Sequence, residues 1–380
     1  MDPDAPIHLP PALAQDTGAD LLSTYWPAAI GLCVAIGGVA LAVRAARRRG
    51  SRPRRRRVLA ASGWSAATAV VLVGSLALGV NTWVGYFPSG STLSRWVGDK
   101  IGSPQPDSGA SGGRVTSDTH GHAFRTALPS TAEQVPPTSG WVYLPPDYDE
   151  PGRTTRYPVV YALHGSPGSA ADWFTGGRID SVMDALIDAG ALPPTIVVSP
   201  DLNAGSDHGE DEPLDRPGGP QVETFVTTDV VSWADTHLRT LTDPTHRIIA
   251  GMSSGGLGAL LYGLHDPEEF GGIVSIMPYE HPYTVSIRDD PDALRRNSPL
   301  SVIAARSAAT DQTVFLGQGD GEPTTEATQI RDSLRAQGQT TTLRVLPGLG
   351  HTWTAARTIM PYGLVWTAEH LGWTPSGSGS

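Results

Sequence analysis

Two stretches of this chain are hard to place in a soluble core. Trp26 to Val43 reads WPAAIGLCVAIGGVALAV, eighteen residues without a charge, and Val58 to Val80 reads VLAASGWSAATAVVLVGSLALGV, twenty-three more. A helix rises about 1.5 Å per residue, so roughly 20 apolar residues cross a hydrocarbon core. The first run is at the short end of that range and the second lies well within it. Between them sit nine arginines (44, 47, 48, 49, 52, 54, 55, 56 and 57) and no acid. Core helices seldom flank so dense a basic cluster, and a run of this kind is retained in the cytoplasm. The expectation is a transmembrane hairpin, with spans 26–43 and 58–80 around a cytoplasmic loop 44–57. The tail 1–25, carrying Asp2, Asp4, Asp16 and Asp20, and everything after Val80 then lie on the outer side of the cell membrane. Small residues in both runs allow close helix packing. A cleaved signal peptide fits less well, because no basic region precedes the first run.

Away from the cluster the charge reverses, leaving 18 basic residues against 38 acidic ones. That balance and the apolar neighbours make the arginines a topology signal and not a nucleic-acid site. The single cysteine, Cys33, lies inside the first run, so neither a disulfide framework nor a cysteine metal site is expected. The segment 81–123 reads as a flexible linker. It begins with Trp83, Tyr86, Phe87 and Trp96, aromatics suited to a membrane interface, and continues through SPQPDSGASGGRVTSDTHGH. His120 and His122 form an H-x-H pair with no third ligand nearby, so solvated histidines are expected and no metal. Residues 374–380 read as a disordered tail.

From residue 124 to 373 short β-rich runs alternate with longer amphipathic stretches. The strand candidates are 140–145, 157–164, 195–200, 246–252, 271–277, 313–317 and 341–346. The helix candidates are 179–189, 222–238, 255–264, 325–336 and 354–370. Runs such as VVYAL, IVVS and IVSIM are apolar throughout, as strands buried on both faces are. The alternation predicts an α/β fold, a mostly parallel sheet flanked by helices.

Within it, Gly251-Met252-Ser253-Ser254-Gly255 is a G-x-S-x-G placed between a strand and a helix. In that context the serine occupies a sharp bend and its Oγ projects above the sheet. The glycine spacing favours Ser253 over Ser254 as nucleophile, and the Ser254 N–H is an expected oxyanion donor. Of the later histidines, His265 lies on the helix leaving the bend and His370 ends the last helix. His351, in the loop LPGLGHTW after a strand, is the expected base. The acid should follow the preceding strand, where Asp320 stands first, with Glu322 and Glu326 as alternatives. The early strand runs into HGSPG, whose Ser166 N–H is the second expected oxyanion donor, because Pro167 has none. His164 is expected to be a structural loop residue. Trp173, Tyr279 and Trp353 either line an acyl pocket or pack in the core. The acidic run 201–220 reads as a substrate-facing or solvated loop, with a cation site as the lesser alternative.

These pieces together resemble the putative-esterase family of α/β-hydrolases, which includes esterase D, feruloyl and enterochelin esterases and the mycolyltransferases. The resemblance rests on YPVVYALHG, DSVMDALIDAGALPPTIVVSPD, VETFVTTDVVSWADTHLRT, RIIAGMSSGGLGALLYGLHDPEEFGG and LPGLGHTW, which span most of 140–371 in the family's order. HTW at 351–353 is similar to the HSW of the mycolyltransferases, and the two N-terminal spans resemble membrane-bound actinobacterial esterases. The resemblance implies the α/β-hydrolase fold, nucleophile Ser253, base His351, oxyanion donors Ser166 and Ser254, and no cofactor. It implies an acid that is Asp in some branches and Glu, further along, in others. The expected activity is ester hydrolysis through an acyl-enzyme. Acyl transfer to a sugar or lipid alcohol is the alternative, and a catalytically inactive membrane-tethered binding protein is the rival from another class.

Overall fold

The computed structural model describes residues 2–14, 21–47, 54–101, 120–206, 212–306 and 311–373. The chain divides into two compact units, 18–103, and 1–17 together with 104–380.

The first unit is an antiparallel pair of long helices, α1 (Trp26–Arg47) and α2 (Arg54–Val84), followed by a shorter helix α3 (Gly90–Ile101). Their outward faces are apolar, with Ile36, Val70, Val73 and Leu76 all more than 60 % exposed. Small residues form the seam. Gly31 lies against Ser75 and Gly38 against Thr68, so closely that a Cβ on either glycine would strike the facing hydroxyl. The Ser75 hydroxyl donates to Val71 O, 2.7 Å away in its own helix, so a polar side chain is accommodated without an unpaired donor. At one end of the pair stand Tyr25, Trp26 and Trp83, all exposed, and at the other Arg44 and Arg47. The turn after α2 is fixed by Asn81, which donates to Phe87 O at 3.0 Å and accepts from Phe87 N at 2.7 Å. Helix α3 lies inside the segment read as a linker, and corrects that reading for 90–101. Ser89 and Thr92 bond each other's backbone N–H at 3.2 Å, a reciprocal cap that starts the helix, and Trp96 packs edge-on to Phe87 at 5.4 Å. The arginines at 48, 49 and 52, the glycine-rich stretch 102–119 and the tail 374–380 lie outside the described residues.

The second unit is built on an eight-stranded sheet in the order β1-β2-β4-β3-β5-β6-β7-β8. The strands are β1 (His122–Leu128), β2 (Thr138–Leu144), β3 (Val159–Leu163), β4 (Ile196–Pro200), β5 (Arg247–Met252), β6 (Gly272–Ile276), β7 (Thr313–Gly319) and β8 (Thr340–Leu346). From β4 to β8 all neighbours are parallel, while β2 runs antiparallel to both β1 and β4. Every residue of β3, β4, β5 and β6 is buried, because helices cover both faces. Those helices are α4 (Ile179–Asp188), α5 (Ser254–His265), α6 (Thr325–Ala336) and α7 (Trp353–His370), together with the helical stretch 222–237. Seven of the eight strands fall where apolar runs predicted them. β1 carries exposed and half-buried residues and has no such run to betray it.

Parallel connections carry the C-terminal ends of β3 to β8 to one edge of the sheet, and the loops after β3, β5, β7 and β8 meet there. At the far end of α5, His265 Nδ1 lies 2.6 Å from Glu223 Oε1 and its Nε2 lies 3.0 Å from Arg296 O. Burial alone would lower the histidine's pKa, but its bond to Glu223, that carboxylate's charge and the Arg296 carbonyl together raise it. Burial raises the Glu223 pKa as well. Both groups then hold protons more tightly folded than unfolded, so both withdraw stability as pH rises, His265 from about 6.5 upward. The stability advantage of the wild type over His265→Gln is therefore expected to be full at pH 6 and to shrink towards pH 9, as read from urea midpoints across that range.

Candidate active site

Ser253 follows β5 directly and starts the turn into α5 with φ 55° and ψ −124°, a conformation that costs a non-glycine residue about 1–3 kcal/mol. Three glycines make the bend possible. A Cβ at Gly251 would strike the backbone of Gly255; one at Gly255 would meet Leu163 O at 2.5 Å and also His164 O; one at Gly256 would sit 2.6 Å from Ile276 O. Helix α5 is thereby pressed between the ends of β3 and β6. The Ser253 N–H donates to Ile276 O at 2.9 Å, and its carbonyl accepts from Leu257 N at 2.9 Å, so the strained residue is held from both sides.

His351 lies in the loop between β8 and α7, with Nε2 2.8 Å from Ser253 Oγ. Its Nδ1 faces Glu322, 3.0 Å from Oε2 and 3.1 Å from Oε1. The next two residues fasten this loop. The Thr352 hydroxyl caps α7 by accepting from Ala355 N at 3.2 Å, and Trp353 packs edge-on against Trp173 with centroids 5.2 Å apart. His351, the cap and the anchor are thus consecutive.

Asp320, expected first as the acid, does not reach the histidine. Its Oδ1 accepts from Gly348 N at 2.7 Å and its N–H donates to Leu346 O at 3.1 Å, which ties the β7 loop to the β8 loop. Glu322, two residues further and one methylene longer, is the carboxylate at His351. Glu326 is turned elsewhere, accepting from Glu280 N at 2.8 Å with His281 Nδ1 at 3.3 Å. Each of the three acids has a different partner, and closeness to the strand end was the wrong criterion.

The loop after β3 runs beside the serine: a Cβ at Gly165 would be 3.5 Å from Ser253 Cβ. Ser166 follows Gly165, and Ser254 is the first residue of α5, where N–H groups have no carbonyl partner within the helix. Both residues expected as oxyanion donors therefore flank Ser253. His164 is buried and bridges two loops. The Leu202 N–H reaches its Nε2 at 3.0 Å, and an amide can only donate, so Nδ1 carries the proton and donates to Gly165 O at 2.8 Å. The two atoms of a trans peptide point opposite ways, so anchoring Gly165 O directs the Ser166 N–H away from the imidazole. The sequence named His164 as structural without the partners that make it so.

Other candidates resolve into structure. Trp173 is fully buried, with its indole N–H donating to Leu163 O at 2.8 Å, and Trp353 is 7 % exposed; both are core residues. Tyr279 stacks on Tyr283 at 6.2 Å and donates to Glu212 Oε1 at 3.1 Å. Burial, and then the charge of Glu212, raises its pKa. Glu212 is the buried acid among the described residues of the run 201–220. Its carboxylate accepts from Tyr283 N at 2.6 Å, from Thr284 N at 2.8 Å and from the Thr284 hydroxyl. It pins the loop after β6, so this one of the run's carboxylates is already satisfied, while residues 207–211, with three more, lie outside the described set. His120 and His122 diverge, towards Asp184 and Asp149 respectively, each at 3.4 Å. Among the described residues no cluster of His, Cys, Asp or Glu is arranged to hold a metal ion.

A family model described as "Putative esterase" matches residues 137–358, more than half the chain and all the loops just described. The chain belongs to this family. Among its relatives, an endo-1,4-beta-xylanase/feruloyl esterase of Xylanibacter ruminicola is 28 % identical over 227 residues, 56 % of this chain and 27 % of that protein. An esterase of Mycobacterium tuberculosis is 32 % identical over 169 residues, 43 % of this chain and 32 % of that protein. The chain thus covers about a third or less of either relative's length. Its structural neighbours include a ferulic acid esterase, at TM-score 0.58 and 24 % identity, covering 66 % of this chain and 99 % of that one. An S-formylglutathione hydrolase from Agrobacterium tumefaciens matches at TM-score 0.56 and 22 % identity, covering 67 % and 98 %. At these identities the likeness carries the fold, which is that of the α/β-hydrolases.

The glycine contacts can be tested directly. Gly255→Ala drives a methyl into two carbonyl oxygens and is expected to cost about 1–3 kcal/mol of stability. Gly350→Ala, with nothing within 4 Å of its added Cβ, should change stability by less than about 0.5 kcal/mol. Urea unfolding of the two variants beside the wild type makes the comparison.

Proposed function

We propose that this protein is a membrane-anchored serine esterase that hydrolyses carboxylic esters outside the cytoplasm. The observation that carries the reading is the unbroken relay from Ser253 Oγ through His351, at 2.8 Å, to Glu322, at 3.0 Å, in a chain of the esterase family. His351 takes the serine proton as Oγ attacks the ester carbonyl, and Glu322 holds the imidazole in the required tautomer and stabilises the imidazolium. The Ser166 and Ser254 N–H groups receive the oxyanion, assisted by the positive end of α5. His351 returns the proton to the departing alkoxide, leaving an acyl-enzyme. Water, deprotonated by the same histidine, then releases the acid. Gly165 and the buried His164 hold the donor loop ready, so no reorganisation is needed as charge develops.

Anchoring rests on α1 and α2. Their hydrophobic windows have mean hydropathy 2.1 and 1.7, with aromatics at one end of the pair and arginines at the other. That polarity supports a cytoplasmic arginine turn and an outer aromatic end, and an ester in the membrane or cell envelope as substrate.

The test is hydrolysis of p-nitrophenyl esters from acetate to palmitate by the full chain. Ser253→Ala is expected to abolish turnover. Glu322→Gln should lower kcat by about 10³–10⁴-fold, while Asp320→Asn, which keeps an oxygen for the Gly348 N–H, stays within an order of magnitude of wild type. Equal loss in the two acid variants would reject Glu322 as the orienting acid. Activity that survives Ser253→Ala would reject the whole reading.

A further inference from the structure

The residues before the first long helix are part of the hydrolase unit. Residues 1–17 cluster with 104–380 and not with the helical pair they precede. Their contacts are specific. Pro3 O accepts from the indole N–H of Trp366 at 3.0 Å, and that ring is 1 % exposed and packs against Phe315 in β7. Asp4 Oδ1 accepts from Arg335 at 2.7 Å and from the Thr342 hydroxyl at 3.2 Å, and Ala5 O accepts from Arg344. The bond to Arg335 lowers the Asp4 pKa against the effect of burial. A turn at 2–5, closed by Asp4 N on Asp2 Oδ1 at 2.9 Å, shapes the segment. Further on, the helical turn Pro11–Ala14 packs against α4. The arm therefore crosses β8, the last strand of the sheet, and continues over the face that carries α7 and α4. It supplies an acceptor for a buried indole and a carboxylate for two arginines that a bare β8 edge would leave facing water.

We propose that residues 2–14 are a permanent strap on the catalytic unit, so that the chain leaves this unit, runs through the helical pair and returns to it on the same side of the membrane. This rests on the reading of α1 and α2 as spans, but its argument is separate from the arginine count. A segment bonded to β8 cannot be across a bilayer from it, so an even number of crossings must separate residue 14 from residue 120. Two tethers then hold the catalytic unit. From Ala14 to Trp26 the chain reaches at most about 40 Å, whereas from Ile101 to His122 it reaches about 70 Å. The strap makes the shorter tether the governing one. A free arm would release the catalytic unit to the longer reach.

The experiment uses the full chain in membranes, with Cys33→Ser to remove the native thiol and a protease site inserted between residues 105 and 118. Asp4→Cys and Thr342→Cys are added together, since side chains whose oxygens lie 3.2 Å apart can bring two sulfurs within bonding distance. After mild oxidation and cleavage the two fragments are expected to stay joined until reduced. Fragments that separate, in a protein still labelled by a fluorophosphonate or showing native circular dichroism, overturn the strap. The cross-link is read without turnover, so an inactive but linked protein would sink the esterase reading and leave the strap standing. If the cysteine pair prevents folding, Asp4→Lys decides. It sets like charges against Arg335 and Arg344 and is expected to lower Tm by about 2–4 °C and to reduce energy transfer from a donor on the catalytic unit to headgroup-labelled lipid. An unchanged Tm and unchanged transfer would overturn the proposal.

Discussion

The arrangement of this site depends on one strained residue. Ser253 sits at positive φ because α5 must begin where β5 ends, without room for a relaxed connection. The helix can come that close only because Gly251, Gly255 and Gly256 offer backbone where side chains would collide with Leu163, His164 and Ile276. The hydrogen bond from Ser253 N to Ile276 O and the burial of the whole of α5 up to Leu264 supply the stabilisation that offsets the strain. Oγ is thereby presented at the sheet edge, and the loop after β3 is brought against it by the same glycine contacts.

Around that point, polar side chains do the positioning, two of them, His164 and Glu212, buried. His164 joins the loops after β3 and β4, Asp320 joins the loops after β7 and β8, and Glu212 and Glu326 fix opposite parts of the segment after β6. Each accepts from at least one backbone N–H. The loops that carry chemistry are consequently held by side chains and not by regular pairing. This explains why so many acids crowd one edge while only one of them, Glu322, meets the histidine. Trp173 and Trp353 complete the arrangement from beneath, with the apolar bulk that keeps the start of α7 in register with His351.

The helical pair follows a different physics. Close approach of its two helices comes from small side chains, and Gly31 against Ser75 and Gly38 against Thr68 provide it at a seven-residue interval, the packing that a bilayer would require. The aromatic and arginine ends give the pair a direction. The contacts of Pro3, Asp4 and Ala5, by contrast, all lie within the other unit.

Much of this was legible from residue order. The apolar runs located both long helices, by their length without a charge, and seven strands, five of them buried throughout. The glycine spacing identified Ser253, since a bend so tight tolerates little else, and elimination along the chain left His351. Weakly patterned elements were missed: β1 is half exposed, and α3 is small and polar enough to read as linker. Which carboxylate faces His351 could not be read, because Asp320, Glu322 and Glu326 lie within seven residues and differ only in where the loop after β7 aims them. Nor could the strap, whose Asp4 finds Arg335 and Thr342 more than 300 positions away. Sequence determines periodicity, span length and the few backbone shapes that demand glycine, because these are local. Which carboxylate meets which donor is decided by distances between loops, and those exist only once the sheet has brought them to one edge.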